Sequence, residues 1–289
     1  MAIPKRQQEQ AGRWALVDGI PFQMPVQCKN SPALFAVFPI NAEKAQKLIP
    51  GNEIRPFRLR DKGLLVITVI DYLNTTIGKY IEFSIAIACV HRDSPAPSML
   101  PDLLTRTFDI GQWVVDLPVS SEVSVKGGKG IWGMPKHQAN LDYKITDTTI
   151  SSQYDLDGQL AMKIEIDRPD SAWVPMSMAA SNYAAFRGML MKSNVNFTGK
   201  MGFHLGKKGS ARLTLGDHPR MQPLKGLEIE PDPIATAFIP EANGVLDDHF
   251  ECWFLTFDEL PKVVPEGMES VIDLGQSQAW LAPPKPLAD

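Results

Sequence analysis

Cysteine, long apolar runs and an excess of positive charge are all scarce in this sequence of 289 residues. The three cysteines, Cys28, Cys89 and Cys252, are odd in number and far apart, with no C-x-x-C. A disulfide framework or a zinc site is excluded on that pattern. The longest nearly apolar run, residues 83–90, falls far short of the about 20 residues a membrane-spanning helix needs. Lys plus Arg is 29 against 33 for Asp plus Glu, a net charge of −4. That balance opposes binding to a phosphate backbone, so no nucleic-acid partner and no membrane partner is expected. Residues 1–10 carry no apolar segment of the kind that opens a secretory signal, so a cytoplasmic location is expected. None of the histidines has the i, i+4 spacing of a helical zinc motif. The G-x-S-x-G elbow of serine hydrolases is missing too.

What is present points to sheets. Hydrophobic residues make up 44% and charged residues 21%, the balance of an ordinary globular protein. The 21 glycines and 24 prolines are scattered along the whole chain and break it into short elements. Strand-like alternation is expected at residues 34–38, 53–60, 64–73, 79–90, 105–119, 141–146, 150–156 and 159–167. Further strands are expected at 234–239 and 248–257, and a hairpin pairs 200–205 with 210–216. Asp157-Gly158 is a two-residue hairpin turn. Asn41 caps a short helix over 42–49, and 179–191 reads as the one longer helix. Many short strands with tight turns predict a mainly β, α+β fold whose antiparallel sheets close on themselves. The expected organisation is an N-terminal arm over 1–29, one domain over 30–258 and a C-terminal extension over 259–289.

Two positions stand out chemically. Gly128-Lys129-Gly130-Ile131-Trp132-Gly133 satisfies G-x-G-x-x-G, the dinucleotide fingerprint. That loop must open a helix, whereas Met134-Pro135 follows here and leads into a strand. Lys136 sits just after this segment among Ile131, Trp132, Met134 and Pro135. An apolar setting disfavours an ammonium, and a neutral amine can attack a carbonyl to form an imine. On 79–90, Ile81, Phe83, Ile85 and Ile87 share one face of a strand. Tyr80, Glu82, Ser84, Ala86 and Ala88 share the other, a small-residue face with one carboxylate that suits a cavity wall.

Three blocks resemble the acetoacetate decarboxylase superfamily. Gly78-Lys79-Tyr80-Ile81-Glu82 is similar to its G-x-Y-x-E. The stretch from Gly128 to His137 is similar to its G-R-E-x-x-G-x-P-K-K. The stretch from Ala211 to His218, continuing through Pro223-Leu224 to Leu227, looks like a third family block. The resemblance implies a closed, cone-like β-barrel with a few short helices, a homo-oligomer, and a pocket with an imine-forming lysine at its base. It places the lysine's role on Lys136 and a proton-moving carboxylate on Glu82. Tyr80, Trp132, Met134 and His137 are then expected to contact an oxo-acid substrate, with no metal or organic cofactor. There are departures. His137 replaces the second lysine, Ser31 stands where the family's carboxylate-binding arginine is expected, and the second pocket acid falls near Ile67. Three activities are compatible with this pattern. They are decarboxylation of a 3-oxo acid larger than acetoacetate, aldol condensation and dehydration of a 2-oxo acid such as pyruvate, and non-catalytic binding of a small molecule.

Overall fold

The computed structural model describes residues 5–9, 11–17, 19–92, 110–259 and 262. The described chain opens with α1 (Lys5–Glu9) and the hairpin β1 (Arg13–Val17) and β2 (Ile20–Met24). Then come β3 (Val26–Asn41), α2 (Ala42–Gln46), β4 (Ile54–Pro56), β5 (Lys62–Tyr72), β6 (Asn74–Thr75) and β7 (Tyr80–His91). Next are β8 (Ile110–Val119), α3 (Glu122–Trp132), β9 (Lys136–Gln138), β10 (Asn140–Leu141) and β11 (Lys144–Ile145). The hairpins β12 (Thr149–Leu156) with β13 (Gln159–Asp167), and β14 (Val174–Phe186) with β15 (Met189–Leu205), follow. β16 (Ala211–Leu215), a 3₁₀ turn at Pro219–Met221, α4 (Gln222–Lys225) and the long β17 (Ala235–Phe254) complete the described chain. No described helix is long and apolar enough to cross a membrane.

Strands β7, β5, β3, β17, β15, β14 and β8 pair in that order, and β8 pairs back to β7. The result is a closed seven-stranded barrel. It is mixed, because β14 runs parallel to β8 while the other barrel pairs are antiparallel. β10, β12, β13 and β16 form a second sheet, with β11 on β12. Period-two alternation explains how the two sheets meet. Phe83, Ile85 and Ile87 of β7, with Leu65, Ile67 and Val69 of β5, cluster with Ile150, Tyr154, Met162, Ile164 and Ile166 of the second sheet. Alternate residues of β5 and β7 face into the barrel. The dominant apolar core therefore lies between barrel and sheet and leaves the barrel interior free for a cavity.

Several elements differ from the sequence reading. Residues 179–191 are not a helix but the end of β14 and the start of β15. Their alanines and methionines favour a helix locally, yet pairing with β17 on one side and β8 on the other overrides that propensity. Arg187 and Gly188, at φ 52° and 77°, make the tight turn between them. The expected hairpin of 200–205 with 210–216 is absent. The first segment pairs with β17, and the second, β16, joins β13 in the other sheet. Of the strands expected at 234–239 and 248–257, residues 235–239 and 248–254 belong to one strand, β17, whose pairing shifts register along its length. Asp157 and Gly158, at φ 51° and 75°, do turn the chain between β12 and β13. The segment read as an arm carries β1 and β2, and Phe22 and Met24 of β2 are buried against Leu117, Trp132 and Met134. Residues 105–109 of one expected strand, and the 259–289 extension apart from 259 and 262, lie outside the described residues.

Candidate active site

A glycine-bearing helix positions the lysine. The Ser121 hydroxyl caps α3 by accepting from the Ser124 backbone N–H at 3.2 Å. Gly133, at φ 62°, ends the helix in the left-handed conformation. Met134-Pro135 then turns the chain into β9, which lies parallel to β8 with Lys136 in register with Leu117. The G-x-G-x-x-G segment is thus the end of a helix, not a turn. Its glycines are spacing devices: a Cβ on Gly128 would overlap Cδ of Lys136, and one on Gly130 would overlap Val17. Gly128 lets the lysine stem cross the helix surface.

The Lys136 side chain is 4% exposed and that of Glu82 14%. Lys136 Nζ lies 2.6 Å from Glu82 Oε2 and donates to Ser124 Oγ at 3.0 Å. It also stands 5.4 Å from the centre of the Tyr80 ring, within cation–π range. Tyr80 stacks on Tyr72 with ring centres 4.6 Å apart. Burial, followed by the charge of Glu82, holds both phenols well above their ordinary value, so they remain protonated. Cys28, beside this group, is pushed up to about 12, mainly by burial. Cys252 is exposed, whereas Cys28 and Cys89 are buried. Iodoacetamide at pH 8 is accordingly expected to modify Cys252 alone in the native protein and all three thiols after unfolding, read by peptide mass. Modification of native Cys28 at the rate of Cys252 would contradict this environment.

A cavity of about 80 Å³ opens beside the lysine. Each of the seven barrel strands contributes to its wall, from Phe35 on β3 to Leu246 on β17. Trp132 and Met134 line it, and the Trp132 indole N–H donates to the Asp247 carbonyl at 2.7 Å. Tyr80 contacts Lys136 from behind and does not line the wall. Lys136 and Glu82 are the only charged side chains among the described lining residues. The cavity-facing positions of β5 are Thr68, Ile70 and Tyr72, with Ile70 in register with Glu82. Ile67 faces the opposite way into the core, and no acid takes the second place. Ser31 is buried and donates to the Lys29 carbonyl at 3.2 Å. Among the described residues, no three His, Cys, Asp or Glu side chains converge to hold a metal.

The family model for acetoacetate decarboxylase matches residues 8–247. The chain belongs to the acetoacetate decarboxylase family. A solved acetoacetate decarboxylase superposes with a TM-score of 0.60 at 15% identity, over 80% of this chain and 90% of the other. The acetoacetate decarboxylase of Legionella pneumophila gives 0.56 at 13% identity, over 77% and 85%. The enduracididine biosynthesis enzyme MppR in complex with pyruvate gives 0.55 at 12% identity, over 79% and 90%. At such identities the likeness is one of fold. No curated protein sequence matches the chain significantly.

Within this family fold His137 goes elsewhere, which corrects its expected place at the substrate. Successive residues of a strand point to opposite faces, so Lys136 faces inward and His137 faces the second sheet. Its Nε2 lies 2.9 Å from the Tyr154 hydroxyl and its Nδ1 3.4 Å from Asp116 Oδ1. Tyr154 donates to Asp116 Oδ2 at 3.2 Å, and Arg220 Nε donates to Asp116 Oδ1 at 2.8 Å. Burial raises the Asp116 carboxyl above its ordinary value, and Arg220 pulls it part of the way back. Arg220→Ala leaves that carboxylate short of a cation, at a cost of roughly 1–3 kcal/mol near neutral pH. The cost should shrink as pH falls, because a protonated Asp116 needs no counter-ion. Thermal unfolding of the variant and wild type from pH 8 to pH 5 measures it; a difference that grows on acidification would contradict the assignment.

Ser124 was not legible as a site residue. It lies 12 positions before Lys136, on a helix that the glycines conceal. The only local signal is Ser121-Glu122 at a helix start.

Proposed function

We propose that this protein is an imine-forming carbon–carbon lyase that decarboxylates a 3-oxo acid on Lys136. The carrying observation is the buried Lys136 amine, 2.6 Å from the Glu82 carboxylate inside the closed barrel. Glu82 is placed to take a proton from the lysine, and the neutral amine then attacks the substrate carbonyl. Loss of water gives an iminium. The bond to the carboxylate carbon breaks, its electron pair enters the iminium, and carbon dioxide leaves. The proton first taken from the lysine leaves with that water, so Glu82 takes up a proton from solvent and delivers it to the enamine carbon. Water then releases the ketone, with one proton consumed per turnover. Ser124 and the Tyr80 ring hold the amine in place throughout.

Cavity size supports a reaction of one molecule. At about 10–15 Å³ per water, the cavity's 80 Å³ is room for a short file of waters, which suits one oxo-acid chain and not an oxo acid with an aldehyde beside it. Apolar walls such as Phe35, Trp132, Met134 and Phe197 favour conversion of a carboxylate into neutral carbon dioxide. A second reading, aldol condensation of a 2-oxo acid, has one observation in its favour: the similar fold of MppR holds pyruvate. The pyruvate iminium would lose a methyl proton to Glu82, and the resulting enamine would attack an aldehyde, after which water is lost. A carbon dioxide assay across 3-oxo acids of increasing length, beside a chromatographic assay of pyruvate with aldehydes, separates the readings. Carbon dioxide release that depends on Lys136 supports the lyase. Condensation without release supports the second reading, and neither activity overturns both.

A further inference from the structure

A second polar group faces the cavity away from the lysine. Asn182 on β14 is in register with Gln112 on β8 and with Ser193 on β15, so three adjacent strands bring these side chains together on one wall. The hydrogen bonds of the described residues leave the Gln112 and Asn182 amides uncommitted. Gln112 is in register with Ala88 of β7, whereas Glu82 lies at the other end of that strand, in register with Val119 of β8. At about 3.3 Å per residue, the two stand roughly 20 Å apart along the strand, less the reach of both side chains. The cavity is thus bipolar: a charge pair at one end and neutral amides at the other, with apolar side chains and the small hydroxyls of Thr68 and Ser84 between.

We infer that Gln112 and Asn182, with Ser193, form a distal subsite for an uncharged polar group of the substrate, a hydroxyl or an amide. An amide side chain both donates and accepts, which matches a hydroxyl. A second carboxylate would have no cation there, since the one lining lysine is paired with Glu82. The substrate class is therefore a 3-oxo acid bearing a neutral polar group along its chain. This rests on the imine reading of Lys136.

Borohydride trapping of methyl ketones, the products of such acids, tests it. One series runs from 5-hydroxypentan-2-one to 8-hydroxyoctan-2-one. Beside it stand the methyl-terminated hexan-2-one to nonan-2-one and the carboxylates 5-oxohexanoate to 8-oxononanoate. At the best chain length the hydroxylated ketone should label at least about tenfold more efficiently than either counterpart. Asn182→Leu and Gln112→Leu should erase that preference, read within each variant as the ratio of hydroxylated to methyl-terminated labelling. Absence of a preference at every length, or its survival in both variants, would overturn the subsite. Calorimetry with hexane-1,5-diol against heptan-2-ol reads the subsite without any imine. Tighter binding of the diol, lost in Asn182→Leu, with no trapping of any ketone, would sink the imine and keep the subsite. Equal binding of the two together with successful trapping would do the reverse.

Discussion

Lys136→Arg should fold like the wild type and lose turnover by on the order of 10⁴-fold or more, the scale of removing a covalent nucleophile. The arginine side chain keeps a cation beside Glu82, so the barrel retains the charge balance of the 2.6 Å pair. A guanidinium stays protonated in proteins and forms no imine. The loss would then belong to the nucleophile and not to a vacated, unpaired carboxylate, which is the ambiguity of Lys136→Ala. Thermal melting establishes folding, and steady-state kinetics on the best substrate reads the loss. Retention of a tenth of the activity by Lys136→Arg would contradict the covalent role.

Glu82→Gln is expected to lower kcat by about 10²- to 10⁴-fold, the range of general acid–base catalysis. The amide keeps the shape of the side chain and its place opposite Ile70, but it carries neither the charge nor a transferable proton. Imine formation should survive, because the nucleophile is intact and water can take the proton that Glu82 no longer accepts. The signature is a split: labelling of Lys136 persists while product release collapses. Loss of both together would make Glu82 a structural partner of the lysine, and loss of neither would remove it from the mechanism.

The fold class was legible because period-two alternation is a local signal. Ile81, Phe83, Ile85 and Ile87 point one way, and Glu82 and Ser84 the other, as the pattern requires. Barrel closure was not legible. It depends on β8 meeting both β7 and β14, and no local feature encodes a pairing between such distant segments. The helix expected at 179–191 failed for the same reason, since its local propensity lost to long-range partners. For the site, the apolar setting of Lys136, the alternation around Glu82 and the resemblance all pointed to these two residues, and folding places them in contact. Alternation along β9 sends His137 away from the cavity, toward Tyr154 and Asp116, whereas the family resemblance alone implies a substrate contact. Gln112, Asn182 and Ser193 were invisible because they converge only across three strands. Ser124 was hidden because Gly127, Gly128 and Gly130 disguise a helix as a loop. Those glycines are there for contact, as the overlap of a Gly128 side chain with the Lys136 stem shows.

The most direct measurement is the mass of the protein after borohydride reduction in the presence of a 3-oxo acid that it turns over. The wild type should gain the mass of the reduced product ketone at one site. Peptide mapping should place that site on Lys136, although other lysines are far more exposed. Lys136→Arg, treated identically, should keep its unmodified mass. Modification spread over surface lysines, or equal labelling of wild type and variant, would contradict the account.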